Sequence, residues 1–247
     1  SDDFTALSSG LTYKELLWSG TGRAEYRIGE QEDKYGLLLG FYRQQGRGLG
    51  LASTLSHFNS ERENGSQRRD TDISISLGYR PIAGKWIVFD KLLMADARQR
   101  DSSSDTRSSK VVNNMAANYL FDRRNQLAIN HGIKHVTDHF DGDKFSGISQ
   151  LLGFEYRHDL THRWDVGTQA SMLHSASGNN VVYSSGVSLG YNPMTNLWLS
   201  VGFNFDGFAD KDFTAANFTA AGFYLKFRYA LDHFAARRAM AWWEHKK

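Results

Sequence analysis

The chain has 247 residues, a formal net charge of +2 and no cysteine, with 23 glycines and only two prolines. Disulfide scaffolds and cysteine-based zinc sites are excluded, and the balanced charge gives no reason to expect nucleic acid as a partner. A mean hydropathy of −0.50, with Tyr35–Tyr42 the longest apolar run, excludes a bundle of transmembrane helices, each of which needs about 18 apolar residues.

In chain order, residues 1–17 read as a periplasmic lead-in. Segments with a period of two follow near 18–28, 35–43, 47–59, 70–80, 85–98, 108–121, 125–138, 145–157, 163–175, 180–191, 196–206 and 217–231. The spacing predicts twelve strands. One local pattern recurs among them: an aromatic strand end, a short polar turn, then Trp or Leu opening the next strand. It runs from Tyr79 to Trp86, Phe121 to Leu127, Tyr156 to Trp164 and Tyr191 to Trp198. Counted from Arg80, Asp122, His158 and Asn192, the intervals are 42, 36 and 34 residues, and one step back lands at Tyr42. Polar stretches such as Glu61–Asp70, Arg98–Arg107, Asp138–Lys144 and Asp206–Ala216 read as the long connections at the other end. Within strands the faces differ: Leu197, Leu199, Val201, Phe203 and Phe205 oppose Trp198, Ser200, Gly202, Asn204 and Asp206. The segment Trp86–Met94 fits poorly, because Asp90 and Lys91 put a charge on both faces.

A soluble β-sandwich also alternates. Three features favour a membrane barrel: strands of about 10 to 14 residues, aromatics at one strand end, and alternating short and long connections. Lipid offers no hydrogen bonds, so a spanning sheet must close on itself, and only one of its faces then meets hydrocarbon. The expectation is an all-β, closed, antiparallel up-and-down transmembrane barrel over 18–231 in a bacterial outer membrane, in contact with lipid and lipopolysaccharide. An even strand count puts both chain ends on the short-turn side. The interfacial girdle is expected at Tyr42, Tyr79, Trp86, Phe121, Tyr156, Trp164, Tyr191, Trp198 and Tyr229. Residues 232–247 read as a periplasmic tail, whose spacing suits a short amphipathic helix or an unstructured segment. Phe234, Arg237, Arg238, Trp242 and Trp243 there are candidates for binding a partner.

The runs Val111–Tyr119, Asp159–Gly167 and Gly190–Phe213, ending Asp206-Gly207-Phe208-Ala209-Asp210-Lys211-Asp212-Phe213, carry a resemblance. They look like the C-terminal outer-membrane barrel that ends large Gram-negative surface proteins built of repeated immunoglobulin-like domains. The resemblance covers roughly 108–231. It implies a membrane anchor or exit port attached to a larger envelope assembly. The expected role is therefore a non-catalytic anchor or coupling component, with a channel for a small solute or secreted polymer as the alternative.

Arg23, Glu25, Arg27, Lys134, Asp138, Glu155, Arg157, Asp165, Lys226 and Arg228 are the expected lumen-lining charges, either a stiffening network or a selectivity lining. His131, His135 and His139 recur every four residues. In a strand, neighbours at that spacing stand about 13 Å apart, too far to share one ion, so no metal or cofactor is expected. Asp206, Asp210 and Asp212 beside Gly207 offer oxygen ligands, but read more simply as a solvated acidic loop whose Phe205, Phe208 and Phe213 mark the outer interface. A lipid hydrolase would need a Ser–His pair on one outer face. His174-Ser175 and His57 with Ser56 or Ser60 are the only local pairings.

Overall fold

The computed structural model describes residues 3–194, 196–213 and 221–229. Thirteen strands form one antiparallel sheet in sequence order: β1 (Phe4–Lys14), β2 (Trp18–Gly29), β3 (Glu32–Gln45), β4 (Leu49–Arg62), β5 (Gln67–Tyr79), β6 (Trp86–Arg100), β7 (Asp105–Leu120), β8 (Asn125–Phe140), β9 (Asp143–Asp159), β10 (Trp164–Ser175), β11 (Asn180–Met194), β12 (Leu197–Asp206) and β13 (Gly222–Tyr229).

The extra strand is β1, which lies where a lead-in was expected and pairs with β2 from Phe4↔Gly29 to Lys14↔Ser19. Its cue is the repeat itself: Tyr13 ends a strand, Glu15-Leu16-Leu17 turns, and Trp18 opens the next. An odd count separates the two ends that were expected together on the short-turn side. The first residues of β1 sit at the end carrying the 207–221 connection, while β13 finishes at the opposite end with Tyr229 beside Leu197. Among the described residues β1 pairs only with β2 and β13 only with β12, so the sheet is not closed. The tail candidates Phe234, Arg237, Arg238, Trp242 and Trp243 lie outside the described residues.

Most polar stretches expected as long loops are strand ends instead. Backbone pairing continues through them, because a paired amide is worth more than a solvated loop once the neighbouring strand is already in place. The β8–β9 connection shrinks to Asp141-Gly142, both at positive φ (48° and 99°), the two-residue turn whose twist matches a hairpin. Strand β9 reaches 17 residues, about 56 Å at 3.3 Å each, well beyond the roughly 25 Å apolar band of an outer-membrane barrel. Among the connections bounded by described strands, only 207–221 is long.

Register assigns every side chain a face. The apolar face carries exposed Leu7, Leu39, Ile73, Ile75, Phe154, Val187, Val201 and Phe227. The polar face shelters nearly all of the buried residues, namely Val112, Leu151, Ser60, Ser74, Asp165, Ser184, Ser200 and Asn204. Unbroken pairing of β6 with β5 and β7 keeps Asp90 on the apolar face, where Asn113 donates to its Oδ1 at 2.9 Å.

Candidate functional site on the polar face

All ten charges expected in the lumen stand on the polar face by register, but they do not form one group. Arg23 pairs with Glu25 at 3.1 Å near the open β1 edge, and Arg27 stacks on Phe4. Asp138 lies towards the far end of β8. The other six fall into two assemblies.

The first gathers around Trp198. The Arg157 guanidinium donates to Asp165 and, at 2.6 Å, to Glu155. Trp198 Nε1 donates to the second oxygen of Asp165 at 2.7 Å, while Arg157 and Arg228 lie 4.6 and 5.1 Å from the Trp198 ring centroid. Lys226 shares this face on β13, next to Arg228 in the polar row. Asp165 is only 3% exposed, and such a carboxylate is tolerable because both its oxygens are bonded. The Asp165 side chain occupies the space that a Cβ on Gly190 would take, so the glycine makes the approach possible. Beside the assembly lies a cavity of about 410 Å³, bordered by Asn118, Gln126, Asp159 and Asn192.

Trp198 was expected in the lipid-facing girdle and belongs here instead. Tyr42 also turns to the polar face, in register with Ala52 and Ser76, its hydroxyl lying over Gly50. Tyr79, Trp86, Tyr156, Trp164, Tyr191 and Tyr229 stand on the apolar face at the turn end, and Phe121 follows in the β7–β8 turn against Tyr119. Trp86 meets Tyr119 at 4.7 Å and Trp164 meets Tyr191 at 4.5 Å between ring centroids. Tyr13 and Trp18, outside the expected girdle, make the same kind of pair at 5.0 Å.

The second assembly comes from the connection after β12. Rather than forming a solvated loop, residues 207–213 lie against the polar face. Lys134 Nζ donates to Asp210 at 2.5 Å and stands 3.3 Å from Asp212; Lys110 Nζ donates to Asp212 at 2.7 Å. Asn114 Nδ2 donates to the Asp212 carbonyl at 3.0 Å. Phe213 is fully buried against Val112 and Leu151, with Leu93, Leu173 and Phe208 packed around them. Phe208 and Phe213 are therefore core rather than interface, while Phe205 stays exposed on the apolar face. Burial raises the Asp212 carboxyl, but the bonds from Lys110 and Lys134 outweigh it and leave it below its ordinary value.

Both hydrolase pairings fail on geometry. His57 and His174 face the apolar side, whereas Ser56, Ser60 and Ser175 face the polar side. His57 Nδ1 lies 2.8 Å from Thr71 Oγ1. His131, His135 and His139 share the apolar face with Ile129 and Ile133. Among the described residues no group of three His, Cys, Asp or Glu could hold a metal ion.

No protein-family model and no curated protein matches the chain. Solved structures do. The siderophore receptor PirA from Pseudomonas aeruginosa superposes with a TM-score of 0.67 at 7% identity, over 94% of this chain and 50% of that one. The siderophore receptor PiuA from Acinetobacter baumannii gives 0.60 at 7%, over 94% and 53%. The RagAB peptide transporter gives 0.54 at 9%, over 93% and 40%. The chain spans about half the length of the two receptors, and identities this low speak for the fold alone. That fold is the one of integral outer-membrane β-barrel proteins.

Proposed function

We propose that the chain forms the wall of a closed, non-catalytic outer-membrane β-barrel that passes a small hydrophilic solute, with residues 207–213 narrowing the way. The docked loop is the observation that supports this reading. Two lysines on the polar face are matched to two aspartates of the loop, and Phe213, next to Asp212, is buried against Val112 and Leu151. Such a device restricts a space that would otherwise hold water. The neighbours named as siderophore receptors and a peptide transporter agree with a solute-handling role. The described sheet is open, and closure is proposed because the edge amides of β1 and β13 would need strand partners in hydrocarbon.

Single-channel recording in planar bilayers tests the proposal. Wild-type protein should give small ohmic steps, and Phe213→Ala combined with Lys134→Ala should enlarge them. Protein that shows heat-modifiable gel mobility, and is therefore folded, yet conducts in neither form would overturn it. A membrane anchor for a larger surface assembly is the second reading, favoured by the resemblance of 108–231. Loss of a co-purifying envelope protein on deleting 232–247 would support it.

A further inference from the structure

One row of cross-strand neighbours on the apolar face carries an unusual charge. Direct register links Asn59 to Arg69, Arg69 to Arg98, Arg98 to Arg107, Arg107 to His139 and His139 to Lys144, across β4 to β9. Like charges directly opposite each other destabilise a sheet, so three adjacent arginines call for a ligand or a compensating group. Compensation is partial. Asp96 accepts from Arg107 at 2.7 Å, and Asp105 accepts from Arg98 at 2.6 Å and from Arg100 at 3.0 Å. The Asp141 carboxylate is taken by the Asp105 backbone N–H. At this end of the face the carboxylates of Asp33, Glu61, Asp96 and Asp105 stand among five cations, Arg69, Arg98, Arg100, Arg107 and Lys144, yet none of the four stands directly opposite Arg69, Arg98 or Arg107 in the row. Arg69 is within electrostatic reach of Asp96, which already accepts from Arg107 and Ser109, and His139 Nδ1 is buried without a hydrogen-bond partner.

The position of the row matters as much as its charge. Four residues along the strands, about 13 Å away on the same face, lies the row Leu55, Ile73, Met94, Val111, His135 and Ile148, apolar except for the histidine. The arginines stand at the end of the sheet that carries the longest connection, and in a membrane barrel the step from that row to this one would be the step from acyl chains to headgroups. Asn59, Gln67, Arg69, Arg98 and Arg100 border a cavity of about 170 Å³ there. Guanidinium groups bind phosphate bidentately, and a fixed row of them on a strand platform is pre-set for it.

We infer that Arg69, Arg98 and Arg107, with Arg100 and Lys144 flanking, bind the phosphate groups of an outer-leaflet glycolipid. This rests on the membrane-barrel reading. Incoming phosphate meets Lys144 at the end of the row, and shares Arg69, Arg98 and Arg107 with the aspartates already beside them.

The test uses the full chain folded in detergent, with folding checked by heat-modifiable gel mobility and conductance measured in parallel. Bis-phosphorylated lipid A, the same lipid dephosphorylated, and inorganic phosphate are titrated against wild type and the Arg69→Gln/Arg98→Gln/Arg107→Gln variant. Wild type should bind bis-phosphorylated lipid A at least tenfold more tightly than the dephosphorylated lipid, and the variant should lose that preference while keeping its mobility and conductance. Equal binding of both lipids by wild type would overturn the inference, as would inorganic phosphate binding as tightly as the lipid, which marks a free-anion site. A wild type that never shows heat-modifiable mobility refutes the barrel itself, a result separable from a folded barrel without phosphate preference.

Discussion

Lys134 on β8 donates to Asp210 at 2.5 Å, joining residues 76 positions apart in the chain. Their side chains are only 15% and 16% exposed, so the pair sits in a partly dry setting where each charge depends on the other. One is a wall residue and the other a loop residue. Their contact packs residues 207–213 against the polar face.

Removing the lysine should release that segment. Lys134→Met leaves Asp210 without its cation and deprives Asp212 of one of two, which should cost docking about 3 kcal/mol. Trypsin cleavage after the exposed Lys211 should then accelerate by about two orders of magnitude. Unchanged cleavage would show that the ion pair does not hold the loop.

The same pairs give the docking a pH dependence with a definite sign. The Asp212 carboxyl is held below its ordinary value once burial is outweighed by Lys110 and Lys134. A depressed carboxyl stabilises the folded state fully above its unfolded value of about 3.9, and that contribution fades as pH falls through the lower folded value. Single-channel conductance should therefore stay level from pH 8 to 5 and rise only below about pH 4. A rise between pH 7 and 5 would point to histidine instead.

Phe213 and Gly132 should behave as a coupled pair. A Cβ on Gly132 would lie 2.5 Å from Phe213 Cδ1, so the ring occupies the space left by the missing side chain. Phe213→Ala should cost about 3 kcal/mol, and Gly132→Ala should be destabilising in wild type yet nearly neutral beside Phe213→Ala. A double-mutant cycle of urea unfolding in lipid vesicles measures this. Simple additivity would count against the packed arrangement.

Arg157 compensates two carboxylates, one of them nearly sealed from solvent. Arg157→Gln should lower stability by about 3 to 5 kcal/mol, and adding Asp165→Asn should restore part of the loss. The temperature at which heat-modifiable gel mobility disappears reports both effects. An unaltered temperature for the single variant would mean the network contributes nothing to stability.

Tryptophans at similar strand ends should differ in lipid access. In single-tryptophan variants reconstituted with brominated lipid, Trp18, Trp86 and Trp164 should be quenched and Trp198 should not. Equal quenching of Trp198 would contradict its place beside Asp165.

Twelve of the thirteen strands, and the face of most side chains, were legible in the sequence. Alternation at a period of two is a local property, and the turn pattern from Tyr79 to Trp86 repeats often enough to set its own phase. The same pattern from Tyr13 to Trp18 marked β1, but Glu15-Leu16-Leu17 lacks the polar turn residues of the other copies. Trp198 departs from the girdle for a related reason. Recurrence at a strand end gives position along the strand, whereas parity, already opposing it to Leu197, gives the face.

The sequence by itself determined a polar and an apolar face, because strand geometry sends successive side chains to opposite sides whatever lies around them. Its balanced charge and low hydropathy are the average of those two faces. Tertiary structure alone decided where 207–213 goes, which carboxylates meet Lys110, Lys134 and Arg157, and that Arg69, Arg98 and Arg107 form one row. Each of these depends on register between separate strands or on contacts between distant residues, up to the 102 positions that separate Lys110 from Asp212. No local pattern encodes such distances.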